Sequence, residues 1–289
     1  MTDPDALVLE DGPCVSCGTD LVGPYCHACG ERRLVLEDEA LWPFLREQFH
    51  EVTSADGRLW RTAGALFVPG KLTEEFSAGR RRLYLRPVRI FLILNILFFL
   101  WVGVFGGQGF VGDASLYRSN WRFADRMVEA AATAGLEDAA FDAAFSARAR
   151  SLAPTLIAVF IPGLMLALTL VLAPARPSFV RHAVFATHFV AVLMATTILV
   201  SLVLALPIFA VRVVTGKVLY NLNDDILIPI FLILWSAYLV IGIRRVYDVP
   251  WWGAAASGLT VATGGTLVAL EVYRTVLFFV TVWTVDAPV

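Results

Sequence analysis

Four cysteines near the amino terminus carry the clearest chemistry in this sequence. Cys14 and Cys17 form one C-x2-C pair, Cys26 and Cys29 form a second, and no cysteine occurs later in the chain. Two such pairs point four thiolates at one tetrahedral ion, which predicts a structural Zn²⁺ site; a disulfide pair and an iron site of rubredoxin type are the alternatives. Four protein ligands leave no open coordination position, so the predicted zinc is not catalytic.

The residues around the cysteines predict a ribbon and its compartment. Gly18 and Gly30 follow the second cysteine of each pair, where the positive φ of a tight knuckle costs glycine nothing. Residues 1–36 are therefore expected to form a zinc ribbon. The first thirty residues have no basic segment followed by an apolar stretch, so we expect no secretory signal peptide and a cytosolic amino terminus. A reducing compartment also keeps thiols available for a metal.

Five polar side chains lie in or beside apolar stretches and form a candidate intramembrane polar site: Asn95, His182, His188, Glu271 and Arg274. An ionisable group within a membrane is a functional candidate. The two histidines point about 120° apart on a helix, so they cannot share one ion without other helices. An interhelical hydrogen bond for His188 is the alternative to a proton relay or ligand. Glu271 and Arg274 can pair on one helix face, either at the interface or buried as a substrate or proton site.

Composition places these residues in a membrane protein. The mean hydropathy is +0.70 and 58% of residues are hydrophobic, well above the roughly 45–50% apolar usage of soluble domains. We expect an all-α polytopic fold with a transmembrane domain over residues 87–285. About five spans are predicted, at residues 88–105, 153–173, 183–211, 226–243 and 252–283. Between the first two, residues 107–151 are expected to form an extracytoplasmic helical loop broken near Gly135.

The last apolar stretch is too long for one ordinary span and too short for two. It crosses either early, by residue 270, or late after an interfacial start. Ala254, Gly258, Ala262 and Thr266 recur every fourth residue and make a smooth stripe that lets another helix approach closely. The stripe favours an interior position for the first half of this stretch.

A basic, amphipathic region precedes the first span. Residues 37–86 are predicted to form short interfacial helices on the cytosolic surface, with Thr73 as an N-cap after the turn at Pro69 and Gly70. Six bases are expected to bind anionic headgroups: Lys71, Arg80, Arg81, Arg82, Arg86 and Arg89. With the positive-inside rule, this cluster predicts a cytoplasmic amino terminus and an extracytoplasmic carboxyl terminus in a multi-pass inner-membrane protein.

The sequence offers no catalytic motif. The glycines of the phosphate-loop-like segment from Gly64 to Lys71 are wrongly spaced, and His50-Glu51 lacks the second histidine of a zinc protease. The ribbon is acidic, which disfavours nucleic acid as a partner. The sequence therefore favours a non-enzymatic protein whose zinc module docks or scaffolds a cytosolic or membrane protein partner. The alternative is a transporter or lipid-handling protein that uses the intramembrane polar groups.

The chain also resembles a family of bacterial multi-pass membrane proteins that is known only as a domain of unknown function and carries an N-terminal four-cysteine zinc ribbon. The resemblance lies in the ribbon (Cys14, Cys17, Gly18, Gly23, Tyr25, Cys26, Cys29, Gly30), in Arg61-Thr62, Pro69 to Thr73, Gly79-Arg80-Arg81, Tyr84, Pro87 and Arg89, and in His182 with His188-Phe189. Val190 departs from the family's His-x-His pattern. The resemblance implies an architecture and no activity.

Overall fold

A computed structural model describes residues 13–31, 57–105, 114–120, 124–173, 178–215 and 224–285. Over these residues all regular secondary structure is helical, apart from one isolated antiparallel bridge between Pro13 and Asp20. The predicted all-α class is confirmed for this part of the chain. The amino-terminal part of the predicted interfacial region, residues 37–56, lies outside the described residues.

The helices follow one another from the basic region before the first predicted span into the apolar bundle. They are α1 (Arg58–Leu66), α2 (Lys71–Ser77), α3 (Pro87–Phe105), α4 (Ala114–Asn120), α5 (Ala124–Ala134), α6 (Asp138–Leu156), α7 (Phe160–Val171), α8 (Phe179–Thr215), α9 (Asp224–Tyr247), α10 (Trp251–Thr260) and α11 (Thr266–Thr284). A 3₁₀ turn, Ile157–Val159, joins α6 to α7, and a π-helical turn, Val261–Gly265, joins α10 to α11.

Three stretches of the described chain are long and apolar enough to cross a membrane. They are Asp138–Val171, Phe179–Leu204 and Pro229–Tyr247, and they overlap the second, third and fourth predicted spans. The first predicted span corresponds to a shorter apolar helix, Pro87–Gly103. The chain therefore has the helices of a membrane protein, while the count of five spans stays a prediction.

Helix α8 is the centre of the bundle. It has 37 residues, about 55 Å of helix. It extends beyond the predicted third span, residues 183–211, at both ends. Every residue from 182 to 192 is buried, and α3 and α7 both pack against α8. Farther along, Leu199 and Val203 are exposed. The amino-terminal half of α8 thus forms core, and the turns around Leu199 and Val203 present apolar side chains outward.

The polar loop between the first two predicted spans folds into α4, α5 and α6. The predicted break occurs at Gly135, which has a φ of +67°. Phe141 and Phe145, one turn apart on α6, are both buried in a cluster with Tyr117 of α4 and Phe278 of α11. The rings of Tyr117 and Phe145 lie 5.6 Å apart in an edge-to-face arrangement. This aromatic cluster fixes α4 against the paired helices α6 and α11.

The stripe of small residues on α10 packs within the chain. Ala254, Gly258 and Ala262 are buried, and a Cβ atom built on Gly258 would lie 2.9 Å from the backbone nitrogen of Val240 in α9. No side chain larger than hydrogen fits at that distance. The small residues therefore allow the backbones of α9 and α10 to approach closely.

Candidate metal centre and its contacts

The four cysteines converge on one point. Their Sγ atoms all lie within 4.8 Å of one another, with 3.5 Å between Cys14 and Cys29 and 3.5 Å between Cys17 and Cys26. These separations exceed a disulfide bond of about 2.05 Å and approach the edge of about 3.8 Å expected for a tetrahedral zinc thiolate site. All four cysteines are free. The donor set and its geometry fit a thiophilic metal ion.

The two halves of the cluster have the same backbone. In each knuckle the N–H of the first cysteine donates to the carbonyl oxygen five residues later, at 2.8 Å. The glycine after the second cysteine donates back to the first cysteine's carbonyl oxygen, at 2.7 or 2.8 Å. Gly18 has a φ of +75° and Gly30 a φ of +69°, which confirms the predicted left-handed turns. Local backbone hydrogen bonds therefore set the direction of each thiol.

The thiols differ in acidity because their surroundings differ. Hydrogen bonding to Thr19 lowers the pKa of the exposed Cys17 thiol to about 6. At Cys29 the Glu31 amide lowers the pKa, but burial and the three neighbouring thiols outweigh it and raise the pKa to about 12. Several thiolates in one place repel one another unless a cation neutralises them. A bound divalent cation would remove this penalty and hold all four thiolates deprotonated.

The ribbon is seated on the segment between α2 and α3. The Glu31 carboxylate oxygen Oε2 accepts hydrogen bonds from the Ser16 hydroxyl at 2.7 Å and from the Arg82 N–H at 3.0 Å. The Nη1 atom of Arg82 donates to the Cys29 carbonyl oxygen at 3.2 Å. The metal centre and the basic region therefore form one contiguous structure on the same side of the bundle.

The bases expected to bind headgroups already make some contacts within the protein. Arg80 pairs with Glu75 of α2 at 2.5 Å, Arg82 binds the ribbon, and the guanidinium carbon of Arg81 lies 4.7 Å from the Phe76 ring centroid. Lys71, Arg86 and Arg89 are half-buried. Arg80, Arg81 and Arg82 thus take part in the internal structure of what we call the collar: α1, α2 and residues 78–86.

The collar is fixed to the bundle through α2 and the turn before it. Helix α2 begins at Lys71 after Gly70, whose φ is +76°, so the prediction of Thr73 as an N-cap is wrong. Thr73 lies within the first turn of the helix instead, and its buried hydroxyl shares a 2.9 Å hydrogen bond with Nδ1 of His188 on α8. The carboxyl end of α1 and the turn add two further hydrogen bonds to α9. Tyr238 Oη donates to the Leu66 carbonyl oxygen at 3.0 Å, and Arg245 Nη1 donates to that of Pro69 at 2.7 Å.

Sequence reasoning missed Glu31, Tyr238 and Arg245. Each acts through a backbone group of a distant segment, so neither its residue type nor its neighbours in the sequence signal the contact. Gly70 gave a partial signal, because a glycine after proline predicts a turn.

The five predicted intramembrane polar residues do not form one site. His182 Nδ1 lies 3.0 Å from the Tyr247 hydroxyl, Asn95 Nδ2 donates to the Pro154 carbonyl oxygen at 2.9 Å, and His188 binds Thr73. In the last helix, the side chain of Glu271 is exposed, and the backbone carbonyl of Arg274 accepts the Tyr117 hydroxyl at 3.3 Å. His182 contacts α9 and His188 contacts α2, so the two histidines do not form a common ligand set.

A crevice within the bundle is lined by apolar side chains. Its residues come from α3, α8 and the junction of α6 with α7: Phe98, Ile157, Phe160, Val190, Leu193, Met194 and Thr197. Thr197 supplies the single hydroxyl, and none of the five polar candidates lines the crevice. This crevice does not join them into a polar cavity.

One family comparison bears on the collar. The sequence model of a family described as a protein of unknown function (DUF3667) matches residues 56–99. The matched stretch spans α1, α2, the arginine segment and most of α3, and it lies outside the cysteine cluster. No curated protein and no solved structure matched the chain. The match thus falls on the segment that contacts both the ribbon and the bundle, and it brings no activity with it.

Proposed function

We propose that this protein is a multi-pass inner-membrane protein whose ribbon binds structural Zn²⁺ and, with the collar, forms a cytosolic module that docks a protein partner. Five spans, a cytoplasmic amino terminus and an extracytoplasmic carboxyl terminus belong to the proposal. The distribution of bases supports this orientation. Four thiolates in a reducing compartment support zinc over a disulfide pair.

The observation that carries the docking proposal is the exposure of apolar side chains on the ribbon. Val22 is 89% exposed and Tyr25 61% exposed, and Val15 is exposed as well. Apolar and aromatic residues on a rigid, anchored module are typical of a surface that binds another protein. The second knuckle rests on the collar, so the ribbon is held while these side chains stay accessible.

A second support is the connection between the ribbon and the bundle. Arg82 binds the ribbon, and three residues later the Leu85 N–H donates to the Thr62 hydroxyl of α1 at 2.9 Å. From there, α2 binds α8 through Thr73 and His188. A partner bound at the ribbon would therefore be held at a fixed position relative to the membrane helices, as a scaffold requires.

Lipid contacts complete the proposal. Trp60 of α1 is 80% exposed, and Trp251 and Trp252 at the start of α10 are exposed as well. Exposed tryptophans near clustered bases are typical of a membrane interface. We propose that they lie at headgroup level on the cytosolic side, where the bases of the collar meet anionic lipid.

The test is recovery of partners with the full-length, tagged protein expressed at native level and purified in gentle detergent. Cys26→Ser removes a thiolate, so we expect loss of stoichiometric zinc and of the co-purifying protein while the membrane helices stay inserted. Val22→Asp should keep zinc and still lose the partner, because it places a charge on the apolar surface. Metal analysis and mass spectrometry measure both outcomes.

A matched control lies in the second knuckle. His27 is exposed and is not one of the four clustered thiols, so His27→Ala should retain zinc and partner alike. Partner recovery that is unchanged in Cys26→Ser would contradict the docking proposal. A small molecule or lipid recovered in place of a protein would point to the transporter or lipid-handling alternative.

A further inference from the structure

Arg82 packs closely against the second knuckle of the ribbon, residues 26–31. Besides the hydrogen bonds of Arg82 to Glu31 and Cys29, the guanidinium covers Gly30, where a Cβ atom would lie 2.8 Å from Arg82 Cζ. Glu31 is only 3% exposed, so its carboxylate is withdrawn from water and depends on its protein donors. A buried acceptor that loses a donor is costly, which makes the fit specific.

The first knuckle shows that this close packing is not a general feature of the ribbon. Its backbone has the same hydrogen bonds and the same left-handed glycine. Among the described residues, however, nothing lies within 4 Å of a Cβ atom built on Gly18. The two loops therefore differ around their glycines: Arg82 of the collar covers Gly30, whereas, in the part of the chain that the structure describes, the space beside Gly18 is open.

The groups that hold Arg82 are positioned by the metal ligands. Cys29 offers both its thiol to the cluster and its carbonyl oxygen to Arg82. Glu31 accepts the Cys26 N–H at 2.8 Å through its own carbonyl oxygen. Small metal-binding domains gain much of their folding free energy from the ion, so these groups hold their places when the thiolates hold a cation.

We propose that the ribbon is a metal-dependent latch on the collar. Binding of a divalent cation by the four thiolates seats the second knuckle on Arg82, and loss of the cation releases Arg82 from the ribbon. The inference rests on the cation binding in the proposed function but not on any partner. The Leu85 N–H, three residues after Arg82, donates to the Thr62 hydroxyl of α1. The conformation of the collar therefore depends on whether the ribbon holds its metal.

Thermodynamic linkage makes the latch testable from both directions. If the cation strengthens the contact with Arg82, then Arg82 must strengthen cation binding by the same factor. We expect Arg82→Ala to weaken Zn²⁺ binding about 5- to 10-fold, a modest coupling. The affinity is measured on the purified full-length protein in nanodiscs by competition with a zinc chelator.

Arg80→Ala is the matched control, since it removes a guanidinium two residues away that binds Glu75 of α2 rather than the ribbon. Its zinc affinity should equal that of the wild type. Glu31→Gln should weaken zinc binding in the same direction as Arg82→Ala, because the neutral amide is a poorer acceptor for the Arg82 N–H.

Hydrogen exchange of the wild type tests the same coupling without any substitution. Removing zinc with a chelator should raise exchange of the Arg82 amide about tenfold, together with exchange in the ribbon, and adding Zn²⁺ back should restore both. Equal zinc affinities for wild type and Arg82→Ala, or exchange that rises in the ribbon alone, would overturn the latch. Neither the zinc affinity nor the hydrogen exchange requires a partner protein. The latch can therefore be tested even if partner recovery fails.

Discussion

Gly70 in the collar and Gly242 in α9 meet backbone to backbone. A Cβ atom built on Gly70 would lie 3.0 Å from the carbonyl oxygen of Gly242, and one built on Gly242 would lie 3.0 Å from the ring of Phe185 in α8. The turn before α2 thus rests directly on the main chain of α9, beside the Phe185 ring of α8. This backbone contact, more than the surface charge of the collar, explains how α1 and α2 are held on the bundle.

Replacing Gly70 by alanine tests that contact. The left-handed φ of +76° and the short distance to Gly242 both penalise a side chain, so we expect Gly70→Ala to lower the free energy of unfolding by about 2–4 kcal/mol. Gly64 in α1 is the control, because among the described residues nothing lies within 4 Å of a Cβ atom built there. Gly64→Ala should stabilise by about 0.5–1 kcal/mol. Thermal unfolding of both variants in the same detergent measures the difference; equal midpoints would contradict the contact.

The hydrogen bond between Thr73 and His188 predicts a cost for an isosteric change. Thr73→Val keeps the shape but leaves a buried imidazole nitrogen without its partner, so we expect a loss of about 1–3 kcal/mol. Thr187→Val is the matched control, since the buried Thr187 hydroxyl bonds only the Ala183 carbonyl one turn earlier in α8. A thermal midpoint that falls equally in the two variants would show that the loss is not specific to the contact between collar and bundle.

The approach of α10 to α9 predicts different effects for two glycines of the same helix. Gly258→Ala would place a methyl group against the Val240 backbone, and we expect it to destabilise by about 1–3 kcal/mol. At Gly253 the nearest atom to an added Cβ is 3.6 Å away, an ordinary contact. Gly253→Ala should therefore be neutral or stabilise by up to about 1 kcal/mol. Unfolding midpoints that rank the other way would disprove the close packing.

The ion pair of Glu75 with Arg80 predicts a pH dependence. The Arg80 hydrogen bond lowers the pKa of the Glu75 carboxyl below its usual value, so the folded state favours the charged form. The resulting stabilisation is complete above the unfolded pKa of about 4.3 and is lost as the pH falls through the lower folded pKa. The thermal midpoint of Glu75→Gln should thus lie below that of the wild type at pH 7, with a gap that closes in acid. A constant gap would argue against the charged pair.

Several features of this protein are decided by its sequence alone because they depend on a few neighbouring residues. The spacing of Cys14, Cys17, Cys26 and Cys29 determined the cysteine cluster, and Gly18 and Gly30 determined its turns, since each knuckle closes its own hydrogen bonds. Long apolar stretches determined the helical class and the central helix α8. The break at Gly135 followed in the same way from a residue that accepts a left-handed conformation.

The tertiary structure decided which of these pieces meet. Thr73 and His188 are 115 residues apart in the chain, so no local pattern pairs them, and Thr73 took an interhelical hydrogen bond in place of the predicted cap. Glu31 and Arg82 join the ribbon to the collar through backbone groups that every residue possesses. Asn95, His182 and His188 lie apart, each hydrogen-bonded to a different helix of the bundle or collar. Such contacts depend on how whole helices pack, and packing is a property of the assembled chain.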